Sequence, residues 1–286
     1  MCGCILGVGA CEPESSSPVN NVPAARPTVA SLVPAATDLL FGMGARSHVV
    51  AVSNYDRRDE TTGLPRVGDY QQTDWEKLST IKPDLMVIQV APSRLPPGLV
   101  QRAESLNMRL VNVQINRLTD IFTVTSQLGN ALGQPELAGA FNASVQGQLD
   151  EARRAVQGRR AVRVLLCRDE TAVYVVGRDN FVDDLLQIAG GENVITGDNP
   201  WPSIDREKLI ALDPDVIIQL LPDAPPQIVD RAKQTWSTLG ELRAVKNGRV
   251  HLLTEWYVLQ PGAQVGTLAN RFAALIHEPA RDATEQ

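Results

Sequence analysis

One strand-feeding unit occurs twice in this chain. "QTDWEKLSTIKPDLMVIQV" (72–90) lies without a gap on "SIDREKLIALDPDVIIQLL" (203–221), matching Asp74 to Asp205, Glu76 to Glu207, Lys77-Leu78 to Lys208-Leu209 and Pro83-Asp84 to Pro214-Asp215. The chemistry of the two copies is the same. An Asp that can cap the free N–H groups of a helix precedes an acidic residue in the first turn, where the helix dipole favours negative charge. Proline then stops a short helix, and the apolar run that follows reads as a strand buried on both faces, as in a parallel sheet.

A second echo lies upstream of each copy. "TVASLVPAATDLLFGMGA" (28–45) and "AVYVVGRDNFVDDLLQIAGG" (172–191) both run from an apolar stretch through a loop to Asp-Leu-Leu and a small-residue helix end. Two elements repeated in the same order predict a duplicated α/β lobe. Only two copies exist and each is far longer than a solenoid repeat, so a solenoid is excluded. The 286 residues suffice for two lobes with their own cores.

Between the lobes, "LTDIFTVTSQLGNALGQ" carries Ile121, Val124, Leu128 and Leu132 at helical spacing and breaks at Gly133. A second helix starts at Pro135, a residue suited to a first turn, and continues to about Val156. A helix of that length spans roughly 30 Å, enough to cross from lobe to lobe and limit closure. Downstream, "WSTLGELRAVKNGRVHLL" reads as helix, Asn-Gly turn and final strand, and "GTLANRFAALIHE" as the closing helix. The resulting organisation is a leader and tether over 1–27, an N-terminal lobe over 28–116, a helical connection over 117–158, a C-terminal lobe over 159–280 and a tail over 281–286.

Composition excludes several classes of function. A formal charge of −6 gives no electrostatic footprint for a nucleic-acid backbone, and no apolar run approaches the length of a membrane span. No Walker A loop, G-x-S-x-G elbow or H-E-x-x-H pair occurs, and "FGMGA" is a helix end rather than a dinucleotide loop. His48, His251 and His277 have no ligand spacing, and Cys167 sits alone in the apolar strand "VRVLLC" as a small core residue. Neither a catalytic residue nor a cofactor is expected. An interlobe enzyme is the remaining alternative, and turnover is its test.

The N-terminus reads differently from the rest. Val8-Gly9-Ala10-Cys11 resembles a bacterial lipobox, with Cys11 as the lipidated residue and the Ser/Pro/Asn-rich stretch to Pro27 as a tether, although no Lys or Arg precedes it.

The succession "VASLVPAATDLLFGMGA", "VVAVSNYDRR", "LPRVGDY", "EKLSTIKPDLMVI", a long helix, "DDLLQIAGGENVI", "WPSIDREKLIALDPDVII" and "LRAVKNGRVHLL" resembles the helical-backbone (class III) ABC-transporter substrate-binding proteins. "WPSIDREKL" and "EWYVLQPG" are most similar to the vitamin B12-binding members. The resemblance implies two Rossmann-like lobes with central parallel sheets, joined by a long rigid helix, and a ligand cleft between them. It also implies a monomer that delivers a corrinoid, a ferric siderophore or haem to a permease dimer with its ATPase subunits. Each lobe would present one glutamate, Glu76 or Glu207, to an arginine-lined pocket on one permease subunit, a charge-assisted pairing repeated by pseudo-symmetry.

Aromatic residues make up only 5% of the chain, so their positions carry information. Tyr55, Tyr70, Trp201 and Trp256 fall in loops beside strands or helix starts, and Tyr174 flanks "VVGRDN" opposite Phe181. Tyr55, Tyr70, Tyr174, Trp201 and Trp256 are the candidates to grip a flat macrocycle. Trp236 reads as core and Trp75 as either. Arg57 and Arg58 after Tyr55 suit an anionic ferric chelate, the alternative cargo.

Overall fold

The computed structural model describes residues 26–69, 71–171 and 173–278. The N-terminal lobe comprises β1 (Val29–Ser31), α1 (Pro34–Gly42), β2 (Val49–Val52), α2 (Trp75–Ile81), β3 (Leu85–Ile88), α3 (Pro97–Ser105) and β4 (Arg109–Asn112). Two helices follow, α4 (Leu118–Leu132) and α5 (Pro135–Val156). The C-terminal lobe then runs β5 (Val162–Cys167), α6 (Phe181–Ile188), β6 (Gly191–Asn193), α7 (Arg206–Leu212), β7 (Val216–Leu220), α8 (Pro226–Ser237), α9 (Arg243–Lys246), β8 (Val250–Leu253) and α10 (Val265–Ile276).

The two sheets have the same topology. Their strand orders are β2-β1-β3-β4 and β6-β5-β7-β8, with every pairing parallel. The repeated unit supplies α2-β3 in one lobe and α7-β7 in the other. Asp74 accepts the Lys77 N–H at 3.0 Å and Asp205 the Lys208 N–H at 2.7 Å, so both helices are capped as their sequences predict. Both helices end in a left-handed residue, Lys82 (φ 51°) and Asp213 (φ 39°), immediately before the proline. Each is anchored by a single buried leucine, Leu78 or Leu209.

Alternation along the strands divides the apolar interior into three parts. Val87 of β3 faces an inner cluster while Met86 and Ile88 face an outer one with Leu78. In the other lobe Val216 and Ile218 of β7 face the same inner cluster, whereas Ile217 faces a second outer one with Leu209 and Trp236. The inner cluster is continuous from sheet to sheet through Leu39 of α1, Leu128 of α4, Leu149 of α5, Leu185 of α6 and Phe272 of α10. Separating the lobes would expose these buried side chains, which opposes large hinge motion. The helix expected to cross between lobes is α5, whose 22 residues extend about 33 Å.

The sequence echo upstream of the repeat is only half structural. Its helices are equivalent, but Val173–Val176 is not the counterpart of β1. The central strand β5 precedes it, and Tyr174 and Val175 instead make isolated antiparallel bridges to Ser203 and Cys167. The second lobe thus has an extra ribbon where the first passes directly from β1 into α1. The segment predicted as one helix before the Asn-Gly turn is also divided, into α8 and α9.

Candidate functional site

In parallel sheets the loops leaving the strand C-termini are the natural place for a ligand. Here such loops from both lobes line one pocket of about 220 Å³: Tyr55, Arg57 and Arg58 after β2, Pro222 and Asp223 after β7, and Trp256, Leu259 and Gln260 after β8. Tyr55 is 64% exposed. Its loop is nevertheless fixed, because Arg66 Nη1 donates to the Ser53 carbonyl at 2.9 Å and to the Asp56 carbonyl, while the Thr61 hydroxyl donates to the Arg58 carbonyl at 2.6 Å.

Arg58 ties the pocket together across the lobes. Its guanidinium carbon lies 5.0 Å from the ring centre of Phe41 in α1 and 5.0 Å from that of Trp256 in the opposite lobe. It pairs with buried Asp38 and, at 2.8 Å, with Glu60. Asp38 also crosses the lobes by accepting the Ala263 N–H at 2.6 Å. Burial raises the Asp38 carboxyl above its ordinary value, outweighing the opposing influence of Arg58 and the Ala263 N–H. Close approach explains Gly262, where a Cβ would overlap the Asp38 carboxylate.

A second aromatic group lies at the end of β5. Val175 N–H donates to the Pro202 carbonyl (3.0 Å), Gly177 N–H to Pro200 (2.9 Å) and Ile204 N–H to Val173 (2.8 Å), forming a short antiparallel ribbon. Gly177 is needed there because a Cβ would overlap the Asn199 carbonyl. The ribbon brings Tyr174 and Trp201, far apart in sequence, onto one guanidinium, that of Arg168.

The predicted ligand residues therefore fall into two groups. Tyr55 and Trp256 line the interlobe pocket, and Tyr174 and Trp201 flank Arg168. Tyr70 and Cys11 lie outside the described residues. Phe181 is buried in the inner core, and Trp236 is buried with its indole N–H on Gln219 at 2.7 Å. Trp75 is partly buried against the outer core, under the guanidinium of Arg102.

Glu76 and Glu207 are exposed at the N-termini of α2 and α7. Each of these helices leads into the start of a parallel strand, so its N-terminus lies toward the edge where the ligand loops emerge. Neither carboxylate has an ion-pair partner among the described residues.

Sequence reasoning missed Arg168 and Asp38. The first has a usable signal, an arginine directly after the apolar strand VRVLLC. The second was visible only as part of the Asp-Leu-Leu echo. Burial raises the Cys167 thiol, which keeps it protonated and inert. Among the described residues no cluster of three metal-ligating side chains occurs, and no helix is long and apolar enough to cross a membrane.

Twin parallel-sheet lobes, a shared helical layer and a pocket formed by loops of both lobes define a two-lobed small-molecule binding protein. The chain belongs to the periplasmic binding protein family, whose model matches residues 29–257. A vitamin B12-binding protein of Vibrio cholerae is 25% identical over 235 residues, covering 82% of this chain and 83% of that one. Another, from Salmonella choleraesuis, is 28% identical over 196 residues, 68% of this chain and 72% of its own. Among solved structures, the periplasmic vitamin B12-binding protein of Vibrio cholerae superimposes with a TM-score of 0.72 at 21% identity, covering 88% of this chain and 96% of that chain. A periplasmic haem-binding protein of Pseudomonas aeruginosa gives 0.73 at 21% identity, over 90% of this chain and 94% of that chain. The class expected from the sequence, a helical-backbone substrate-binding protein rather than an enzyme, is thereby established.

Proposed function

We propose that this protein captures a corrinoid of the vitamin B12 type between its lobes and delivers it to an ABC permease dimer. The observation that carries the reading is the pocket lined by Tyr55 of one lobe and by Trp256 and Leu259 of the other. Rings and an aliphatic wall suit a flat macrocycle with amide fringes, and the curated relatives named above bind vitamin B12. Arg58 adds little free charge to the pocket because Asp38 and Glu60 already oppose it. Tyr70, Tyr174 and Trp201 are proposed as further contacts.

Calorimetric titration with cyanocobalamin, a ferric siderophore and haem is the test. Preferential binding of cyanocobalamin is expected; binding of only a ferric chelate or haem would replace the corrinoid and leave the transport role standing. Arg57 favours this second reading, since it lines the pocket, is exposed and has no acidic partner among the described residues.

Docking is assigned to Glu76 and Glu207, exposed at matching helix starts in the two lobes and suited to arginines on a two-fold symmetric permease. Cys11 is proposed as the lipid attachment point that tethers the protein to the membrane outside the cytoplasm. Loss of labelling by a radioactive fatty acid in Cys11→Ser is the expected result, and undiminished labelling would refute it.

A further inference from the structure

The Arg168 guanidinium is held on two sides and matched on none. Its carbon lies 5.2 Å from the Tyr174 ring centre and 5.6 Å from that of Trp201. Its Nε is buried without a hydrogen-bond partner, and the guanidinium forms no ion pair among the described residues. The adjacent acids are committed elsewhere: Asp169 accepts the Tyr174 N–H at 3.2 Å and the Thr171 hydroxyl, and Glu170 pairs with Arg231 at 3.2 Å.

Several other arginines of the fold are matched, although Arg249 Nε is likewise buried without a hydrogen-bond partner. Arg58 has Asp38 and Glu60, Arg117 has Asp184 and Asp179, and Arg163 donates to the carbonyls of Leu212 and Asp213. A half-buried charge without a counter-ion is unfavourable, and an anion arriving from outside removes that cost. Two flanking rings fix the guanidinium and leave its N–H edge for an in-plane pair of hydrogen bonds to oxygen. The place is also suitable, because Arg168 directly follows β5, the neighbour of β7, whose own exit loop supplies Pro222 and Asp223 to the interlobe pocket.

We propose that Arg168, held between Tyr174 and Trp201, is a specificity-determining residue that receives an anionic oxygen group of the cargo, either a phosphodiester or a carboxylate. The assignment rests on the reading that the interlobe cleft takes a corrinoid or a related metal chelate.

The test is calorimetric titration of wild type, Arg168→Met and Arg168→Lys with three probes: cyanocobalamin, which carries a phosphodiester; dicyanocobinamide, a corrin without it; and haemin, which carries carboxylates. Arg168→Met should lose roughly ten- to hundred-fold in affinity for the anion-bearing probe that the wild type binds, with cobinamide unchanged within about two-fold. Arg168→Lys should recover part of the loss, which a purely structural role for the stacked side chain would not produce. A loss confined to cyanocobalamin assigns the phosphodiester, and one confined to haemin assigns the carboxylates. Unchanged binding of both anionic probes, or an equal loss for cobinamide, would overturn the assignment while leaving the cleft reading intact. Failure of the wild type to bind any of the three would overturn the corrinoid and haem readings of the cleft and this inference with them.

Discussion

Asp38 in α1 and Asp184 in α6 stand at the same place in the Asp-Leu-Leu echo, and both reach beyond their own lobe, Asp38 into the opposite lobe and Asp184 into the helical connection. Asp38 accepts the Ala263 N–H at 2.6 Å just before α10, and Asp184 accepts the Leu118 N–H at 2.9 Å at the start of α4. Each also holds an arginine. From that common plan the two diverge. The Asp38 side chain is 1% exposed and its partner Arg58 12%, whereas Asp184 is 15% exposed and its partner Arg117 42%. The buried latch abuts the ligand pocket through Arg58 and Trp256, and the exposed one lies at the outer start of α4. Duplication supplied one device twice, and burial made one copy the more costly to disturb.

This comparison can be broken first by removing each carboxylate. Asp38→Ala leaves Arg58 without its buried counter-charge and should cost about 3–5 kcal/mol in urea unfolding. Asp184→Ala should cost only about 1 kcal/mol, because solvent compensates a half-exposed Arg117. Equal costs would mean that burial does not distinguish the latches.

A pH series sharpens the same point. The charged groups acting on Asp38 are Arg58, Asp56 and Glu60, and burial dominates, raising its folded pKa. Burial also raises Asp56, whose carboxylate oxygens have no hydrogen-bond partner; nearby Thr37, which lowers it somewhat, bonds Ser31 and the Val33 carbonyl instead. In both cases the native state holds the proton more tightly than the unfolded chain. The associated stability is complete below the ordinary carboxylate pKa and is lost as pH rises through the raised folded value. Urea midpoints should therefore fall less steeply from pH 4 upward in Asp38→Asn than in wild type, and an identical slope would contradict the burial of this latch.

The smallest effect on the fold is expected where the lobes remain most alike. Glu76→Ala with Glu207→Ala should change stability by less than about 0.5 kcal/mol, since both side chains are exposed and unpaired among the described residues. Ligand affinity should be unchanged and uptake into cells reduced, with the two single variants contributing comparably. Unchanged uptake would remove the docking assignment.

Much of the fold was legible along the chain because its signals are local. The Asp caps, the prolines and the buried runs at 85–88 and 216–218 each act within a few residues, so their repetition disclosed both lobes. The site was legible in part: Tyr55 and Trp256 meet in the pocket, while Tyr174 and Trp201 meet on a guanidinium that sequence reasoning passed over. The run 173–176 was misread as the counterpart of β1, because a short apolar stretch has the same pattern in a central strand and in a ribbon outside the sheet.

The sequence by itself determined the duplicated α/β plan, the capped helices that carry Glu76 and Glu207, and the membership in a family of two-lobed binders. Tertiary structure alone decided that one apolar layer serves both lobes, that Asp38 is buried where Asp184 is not, and that Arg168 is left unmatched. Capping and strand burial are written in neighbouring residues, whereas solvent access and charge pairing depend on groups brought together from distant parts of the chain.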